Sequence, residues 1–284
     1  MIQLKKFFSY IGILSLLLFT FFYTEKTVNV VKEFDDIMIE IKNVNEEYKI
    51  EARDATILNN TIIPGLKGKE IDINKSYSKM KQYGSFNSNL LTFKEIEPTI
   101  SIKDNFDKYV IAGNSDKRMV SFVFLVNDND NIDEILRILN KRNIKGNFFI
   151  NSNWLEKNND LIVELIKEGH NVGNLSNNFN YKDDVYVWMD TVIKKIGKQG
   201  ISYCYSETED IETLKICSLY NNYTIIPSIV VENYPLKEIK EKLSSGSIIS
   251  FKVNSNLKKE LDLVINYIES KGLSIMALDE HLKE

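Results

Sequence analysis

The chain has 284 residues, with 36 Lys plus Arg against 40 Asp plus Glu and a formal net charge of −4. This balance argues against a nucleic-acid-binding protein, which would carry a clustered basic excess, while 43% hydrophobic and 27% charged residues indicate a folded globular chain. Its two Cys and two His, His170 and His281, exclude a four-thiolate zinc site and any site that needs three imidazoles.

Residues 7–23 form an uncharged apolar run that follows Lys5 and Lys6. As a helix this run would be about 25 Å long, at the short end of a bilayer span. We predict a single-pass transmembrane anchor, with residues 1–6 in the cytoplasm and the bulk of the chain outside it. A cleaved secretion signal is the alternative, although no small-residue cleavage site follows the run.

Residues 24–53 are predicted to form a juxtamembrane helix with one apolar stripe. The stripe has heptad-like spacing and consists of Val30, Phe34, Ile37, Ile41, Val44 and Tyr48. It would either pair two copies of the chain through residues 30–48 or pack on the chain's own globular part. Fewer than three heptads are present, which favours packing on the chain itself.

Residues 54–117 are predicted to form a small α+β arm or subdomain. The stretch DATILNNTIIPGLKGKEIDI indicates short strands interrupted by a turn at Pro64 and Gly65. The stretch NKSYSKMKQYGSFN indicates a short helix that ends at Gly84.

From residue 118 onward, strand patterns alternate with helix patterns. The predicted strands are MVSFVFLV, KGNFFI, HNVGNL, ISYCY, YTIIPSIVV, GSIISFKV and LSIMAL. The helices between them include NIDEILRILNKRN, WLEKNNDLIVELIKEG, VYVWMDTVIKKIGKQ and NLKKELDLVINYIESKG. This order predicts an α/β fold with a parallel sheet, either doubly wound or closed as a barrel.

Residues 143–176, NIKGNFFINSNWLEKNNDLIVELIKEGHNVGNLS, resemble the polysaccharide deacetylase family, the NodB-homology domain of carbohydrate esterase family 4. With the order of elements, the resemblance covers residues 118–284. It implies a distorted (β/α)7 barrel and descent from hydrolases that act on acetylated glycans. In active members an Asp and two His hold a divalent metal such as zinc, a second Asp is the general base and a late His is the general acid.

The metal positions of this resemblance hold residues without donor atoms. The T-F-D-D-G motif falls on residues 123–127, where Val126 replaces the metal Asp. The H-S-x-x-H motif falls on residues 175–179, where Leu175 and Phe179 replace both His. The resemblance therefore predicts that no metal cofactor is bound.

The catalytic positions have changed as well. Leu125 replaces the general base, Tyr203 replaces the Arg of R-P-P-Y-G, and Lys252 replaces the general-acid His. Two Asp lie just downstream of the first motif. Asp128 and Asp130 would be displaced ligands in an active enzyme, but an N-cap before NIDEILRIL is their commoner role.

The remaining chemistry-bearing residues are interpreted as structural. We expect His170 to be half-buried or on the surface at the amino end of a strand, and His281 to be exposed on a terminal helix. Lys252 is expected at a pocket rim. Cys204 is a core or rim thiol or forms a disulfide with Cys217, and the sequence leaves that pairing open.

The leading hypothesis is a membrane-anchored, extracytoplasmic and catalytically inactive member of the family. It would bind or scaffold a peptidoglycan-type glycan of the cell envelope, with Trp154, Phe179, Tyr203 and Tyr205 as candidate sugar contacts. Plain packing is the commoner role of such rings. The alternatives are an active metal-dependent glycan N-deacetylase, a hydrolase of non-peptide C–N bonds, and a structural membrane dimer without a glycan ligand.

Overall fold

The computed structural model describes residues 12–23, 32–182, 184–197 and 202–284. The chain divides into two compact units. The smaller unit comprises Met1–Ala52 and Lys67–Ile96, and the larger comprises Arg53–Leu66 and Glu97–Glu284. The predicted arm over residues 54–117 is therefore divided between the units, because its first strands pair with the sheet of the larger unit.

Helix α1 covers the described residues 12–23 and exposes apolar side chains such as Leu17 and Phe19. The start of the predicted span, residues 7–11, lies outside the described residues. Within the four described ranges, no helix combines the length and apolarity that crossing a membrane requires. The transmembrane helix predicted over residues 7–23 is thus not found there.

The smaller unit packs two helices and a hairpin. Its elements are α2 (Asp36–Tyr48), β3 (Gly68–Ile71), α3 (Ile73–Lys81) and β4 (Phe93–Ile96), with β3 and β4 antiparallel. Ile37 and Ile41 of the predicted stripe are buried in one cluster with Ile71 and Met80. The central stripe residues therefore pack on their own unit. Phe34 is exposed, Val30 lies outside the described residues, and the homodimer through residues 30–48 stays a prediction.

The larger unit is built on one eleven-stranded sheet with the order β1-β2-β5-β10-β9-β8-β7-β6-β12-β11, and β13 pairs with β6. Its strands are β1 (Thr56–Leu58), β2 (Thr61–Ile63), β5 (Tyr109–Val110), β6 (Met119–Val126), β7 (Asn147–Ile150), β8 (Asn171–Asn174), β9 (Tyr203–Tyr205), β10 (Tyr223–Ile225), β11 (Ile229–Val231), β12 (Ile248–Lys252) and β13 (Ser274–Ile275). Only β1 and β2 pair antiparallel among the described strands of this sheet.

Helices connect the parallel strands as the sequence predicts, with two differences. The helices are α4 (Asp133–Lys141), α5 (Ser152–Lys157), α6 (Asn159–Lys167), α7 (Asp184–Gly197), α8 (Ile211–Leu219), α9 (Pro235–Lys242), α10 (Ser255–Ser270) and α11 (Leu278–His281). The predicted helix over residues 154–169 is two helices that meet at Asn158. The predicted strand YTIIPSIVV is also two, β10 and β11, because Pro227 has no N–H for a sheet ladder.

The sheet has an outer apolar face under the helices and an inner apolar face. Along β6, Phe124 and Val126 pack outward, whereas Val123 and Leu125 face the inner cluster. Burial of both faces explains the continuous apolar run of this strand. The sheet curls around the inner cluster as a half-barrel, since β1 and β11 are the two ends of the hydrogen-bonded path among the described strands.

The C-terminal segment closes the inner cluster. Leu278 and Leu282 are buried in it. The Glu284 carboxylate accepts hydrogen bonds from the backbone N–H groups of Gly65 and Ile102, both at 3.1 Å. Lys117 Nζ donates to the carbonyl oxygens of Glu280 and Lys283 at 2.6 and 2.8 Å, which caps the last helical turn.

Both histidines are buried, contrary to the sequence expectation. His281 is the last residue of the closing helix α11, and its Nδ1 lies 2.8 Å from Ser121 Oγ on β6. A Cβ at Gly113 would lie 2.2 Å from the His281 ring, so glycine is required by close approach. His170 Nδ1 accepts from the Gly146 N–H at 3.0 Å. Burial of each ring is tolerated because a ring nitrogen forms a hydrogen bond inside the core. The partner of His281 is Ser121 on β6, and the partner of His170 is Gly146, just before β7.

Cys204 on β9 and Cys217 on α8 form a disulfide. Both are fully buried in a small cluster with Tyr181 and Tyr186. Although Cys217 is within a helix, its side chain faces the sheet. The structure thus resolves the pairing that the sequence leaves open.

Removing the disulfide should destabilise the larger unit. The bridge closes a 13-residue separation, so the Cys204→Ser/Cys217→Ser variant should lose about 3 kcal/mol of unfolding free energy. Urea unfolding of the variant and of the oxidised parent measures the difference. A reductant should destabilise the parent and leave the variant unchanged; equal stability of the two proteins would contradict the prediction.

Stability should fall on mild acidification because the buried imidazoles stay neutral. Burial, followed by the charge of Lys145, lowers the pKa of His170 from 6.5 to about 4. Burial and Lys117 do the same for His281. The unfolded chain then binds more protons between these pH values, so unfolding free energy decreases as pH drops from 6.5 toward 4.

The His170→Gln variant isolates one imidazole and retains an acceptor for the Gly146 N–H. Its unfolding free energy should depend less on pH across this window, by an amount on the order of 3 kcal/mol. Chemical denaturation at a series of pH values provides the measurement. Parallel curves for parent and variant would show that His170 does not couple to folding in this way.

Candidate functional site

The residues at the family's motif positions meet at one edge of the sheet. Leu125, Val126 and Lys252 are the last residues of β6 and β12, Leu175 and Phe179 follow β8, and Tyr203 begins the short strand β9. Loops after neighbouring parallel strands converge at that edge, where α/β proteins bind their ligands. The candidate site is therefore built from the ends of these strands.

Buried apolar side chains occupy the positions of the first motif. Leu125 lies in the inner cluster, and Val126 lies in the outer cluster between sheet and helices. Both side chains are buried. Neither offers a donor atom, and a carboxylate at either position would be surrounded by apolar groups.

The second motif forms a tight loop after β8. Leu175 is fully buried in the inner cluster. Ser176 Oγ donates to the Asn180 carbonyl at 2.7 Å, which closes the loop. Ser176, Asn178 and Phe179 have left-handed φ values of 53°, 50° and 65°. For a residue as bulky as Phe179 this conformation costs about 1–2 kcal/mol, and it leaves the ring 42% exposed.

The third motif is aromatic rather than cationic. Tyr203 is buried, with its ring 6.5 Å from Phe149. The Tyr205 hydroxyl lies 3.1 Å from Ser250 Oγ, and burial raises its pKa. The Tyr205 ring lies 5.9 Å from that of Phe179. This strand end therefore provides a neutral aromatic surface.

Lys252, at the general-acid position, is exposed at the end of β12. Its Nζ donates to both carboxylate oxygens of Glu232 at 3.2 Å. Lys252 is thus an exposed residue that takes part in a surface ion pair.

A cavity of about 280 Å³ opens beside the Phe179 ring. It is lined by Phe179, Tyr181, Tyr205, Ser206, Glu207, Asp210 and Thr213. The Tyr181 hydroxyl fixes the wall, since it donates toward the carbonyls of Asn174 and Tyr205 at 2.9 and 3.1 Å. We call this space the Phe179 cavity.

Two carboxylates give the Phe179 cavity its charge. Asp210 accepts from Thr213 Oγ1 at 2.7 Å, and that hydrogen bond lowers the Asp210 pKa. Glu207 is exposed and has no ion pair within the described part of the chain. The cavity thus combines an aromatic face with hydrogen-bond acceptors.

The four candidate sugar contacts behave differently. Trp154 is 2% exposed and its indole N–H donates to the Asp130 carbonyl at 2.8 Å, so the prediction that it faces a glycan is wrong. Tyr203 is also buried and belongs to the inner cluster. Tyr205 lines the Phe179 cavity, and Phe179 is the exposed ring.

Asp128 and Asp130 do not act as helix caps. Asp128 accepts from the side-chain amides of Asn151 and of Asn153, the latter at 2.8 Å. The Asp130 carboxylate accepts from the Asn127 N–H at 2.7 Å. Helix α4 begins instead after Ile132, without a side-chain cap, so the predicted N-cap role is wrong. The two carboxylates are held by their own loop.

The residues present do not fit a catalytic metal. Val126, Leu175 and Phe179 have no ligating atoms, and zinc requires N, S or O donors. Across the described ranges, no group of three His, Cys, Asp or Glu side chains is arranged to hold an ion. The geometry therefore supports no metal-assisted step.

Sequence reasoning missed several residues of this edge. Tyr181 and Asp210 line the Phe179 cavity although they lie outside the motif positions. Trp188 on α7 is 43% exposed beside the same loop. Tyr181 and Asp210 come from loops that follow predicted strands, a position shared by many inert residues, and Trp188 lies within a predicted helix.

Comparison with known proteins agrees with this architecture. The sequence profile of the polysaccharide deacetylase family matches residues 112–201. The uncharacterised protein YlxY of Bacillus subtilis is 33% identical over 159 residues, which are 55% of this chain and 49% of YlxY. The match thus spans about half the length of that relative.

Solved structures share the fold. BA3943 of Bacillus anthracis, a CE4 family pseudoenzyme, superposes with a TM-score of 0.67 at 24% identity, covering 88% of this chain and 96% of that one. A BA3943 mutant with restored enzymatic activity superposes with a TM-score of 0.67 at 23% identity. The match covers 88% of this chain and 99% of the mutant's. PdaA of Bacillus subtilis, a family 4 carbohydrate esterase, superposes with a TM-score of 0.53 at 17% identity. The match covers 81% of this chain and 94% of PdaA.

The profile match covers β6 to β8, the strands that carry the first two altered motifs, and the structural matches extend over the rest of the sheet. Residues 112–201 are therefore similar to the polysaccharide deacetylase family, and the described sheet shares the fold of BA3943 and PdaA.

Proposed function

We propose that this protein binds a cell-envelope glycan at the Phe179 cavity and does not hydrolyse it. One observation carries the proposal: Val126 and Leu175 fill two metal positions with buried apolar groups, while Phe179 at the third position and the nearby Glu207 are exposed. The edge that would hold the reaction has lost its reactive groups but still presents a cavity of about 280 Å³.

The loss of catalysis follows from the packing of the motif positions. Hydrolysis of an acetyl amide by this family's chemistry needs a polarising ion and a proton acceptor. Leu125 and Leu175 are instead buried in the inner cluster. BA3943, similar in fold, is described as a pseudoenzyme whose mutant has restored activity, which supports the same status for this chain.

The Phe179 cavity has chemistry that suits a sugar. An aromatic face packs against the C–H face of a pyranose, and carboxylates at its edge accept hydrogen bonds from ring hydroxyls. Phe179 provides the face, and Glu207 and Asp210 provide the acceptors. The strained backbone of Phe179 supports this role, because such conformations concentrate at functional sites.

We also propose that residues 7–23 anchor the chain and that its bulk lies outside the cytoplasm. The apolar run with two preceding lysines supports this orientation. The buried Cys204–Cys217 bridge adds support, because disulfides persist in oxidising compartments. In a bacterial envelope this location would place the Phe179 cavity within reach of peptidoglycan-type glycan.

The purified full chain should release no acetate from N-acetylglucosamine oligomers or peptidoglycan, with or without added zinc, cobalt or nickel. The reason is the absence of donor atoms at Val126, Leu175 and Phe179. Enzymatic acetate detection and metal analysis of the same sample make the measurement, with an active family 4 esterase as positive control. Stoichiometric metal accompanied by acetate release would refute the inactivity.

The full chain should bind N-acetylglucosamine oligomers, and Phe179→Ala and Glu207→Gln should each weaken the affinity about tenfold, equivalent to ~1.4 kcal/mol. Calorimetric titration measures the change. Tyr234→Ala is the matched control because Tyr234 is also an exposed ring but lies outside the Phe179 cavity. Unchanged affinity in both cavity variants would rule out this cavity as the binding site.

A further inference from the structure

A second cavity, of about 460 Å³, opens at the same edge of the larger unit. It is lined by Ser152, Asn153, Glu156, Asn177, Asp184, Val185 and Trp188. These residues come from α5, from the loop after β8 and from the first turns of α7. None of them stands at a metal or acid/base position of the family motifs. We call this space the Trp188 cavity.

The Trp188 ring is the main apolar surface of this cavity. It is 43% exposed, whereas Trp154 is 2% exposed. Within the described residues, the Trp188 indole N–H has no acceptor and its ring contacts no other aromatic ring or cation. Exposing so large a ring forgoes the favourable burial that Trp154 obtains. The ring is therefore available to a ligand.

Three polar side chains around the ring, those of Ser152, Glu156 and Asp184, have no side-chain partner among the described residues. Ser152 is 6% exposed and lines the cavity, and its hydroxyl makes no hydrogen bond to another described residue. The carboxylates of Glu156 and Asp184 have no ion pair in those residues. The Ser152 hydroxyl and two carboxylates therefore line the same cavity as the indole, without a side-chain partner among the described residues.

We propose that the Trp188 cavity binds an amino-sugar ring with a free, protonated amino group within the glycan. The inference rests on the proposed glycan function and assigns it a second subsite. Trp is the strongest cation–π partner among the side chains, and Glu156 and Asp184 attract the same ammonium. Ser152 and Asn177 provide hydrogen-bonding groups for the ring hydroxyls.

The charge of the cavity distinguishes two forms of the sugar. An N-acetylated amine is a neutral amide and gains little from the indole face or the two carboxylates. A free amine on such a glycan arises by hydrolysis of its N-acetyl group, with acetate as the other product. The Trp188 cavity would therefore recognise the product of a deacetylation that another enzyme has to supply.

The test compares a glucosamine hexamer with an N-acetylglucosamine hexamer on the full chain, at a pH where the amines are protonated. Calorimetry should give about tenfold tighter binding of the glucosamine hexamer, and added salt should reduce this preference. Iodide quenching reports on Trp188 because Trp154, the other Trp, is buried. The glucosamine hexamer should protect the fluorescence from iodide.

Trp188→Ala and Glu156→Gln should abolish most of this preference, and Tyr234→Ala should leave it intact. Circular dichroism checks that each variant is folded, as expected for exposed positions. If neither hexamer binds, both the glycan function and this subsite are refuted. If the N-acetylated hexamer binds through Phe179 while Trp188→Ala leaves the preference unchanged and the glucosamine hexamer fails to protect Trp188 of the parent from iodide, the subsite alone is refuted.

Discussion

Packing of β6 on both of its faces is the constraint on which the rest of the larger unit depends. Leu125 points into the inner cluster and Val126 into the layer under the helices. Both side chains are buried among apolar groups, so a charge at either position would lack a stabilising partner. A single remaining Asp or His at this edge would be an uncompensated buried group, which costs several kcal/mol. Replacement of the whole set is therefore more stable than partial loss.

The loop after β8 then determines what the edge can still do. Its left-handed residues hold Phe179 outward on one side and place Asn177 at the other cavity. Leu175, at the start of the same loop, anchors it in the inner cluster. The loop to which the family resemblance assigns two metal-ligand positions thus places Phe179 and Asn177 at the two cavities.

Much of this fold could be predicted from the sequence, because continuous apolar runs identify buried strands and the spacing of apolar residues identifies the helices between them. The run that forms β6 and the framework of residues 143–176 belong to this class. The burial of His281 and Trp154 could not be predicted, since it depends on which element packs above each ring. The exposure of Trp188 could not be predicted either. On an amphipathic helix, the angular position of a residue around the helix axis decides whether its side chain is buried or exposed.

The closing segment of the larger unit has a consequence for how the molecule reaches its native state. Strands β1 and β2 come from its first residues, and Leu278, Leu282 and Glu284 come from its last. Glu284 bonds to Gly65 across more than two hundred positions of chain. Contacts so distant in sequence carry a large loop-closure entropy and slow the search for the native topology. Vectorial folding during synthesis therefore cannot complete this unit, because the inner cluster stays open until its final helix has emerged.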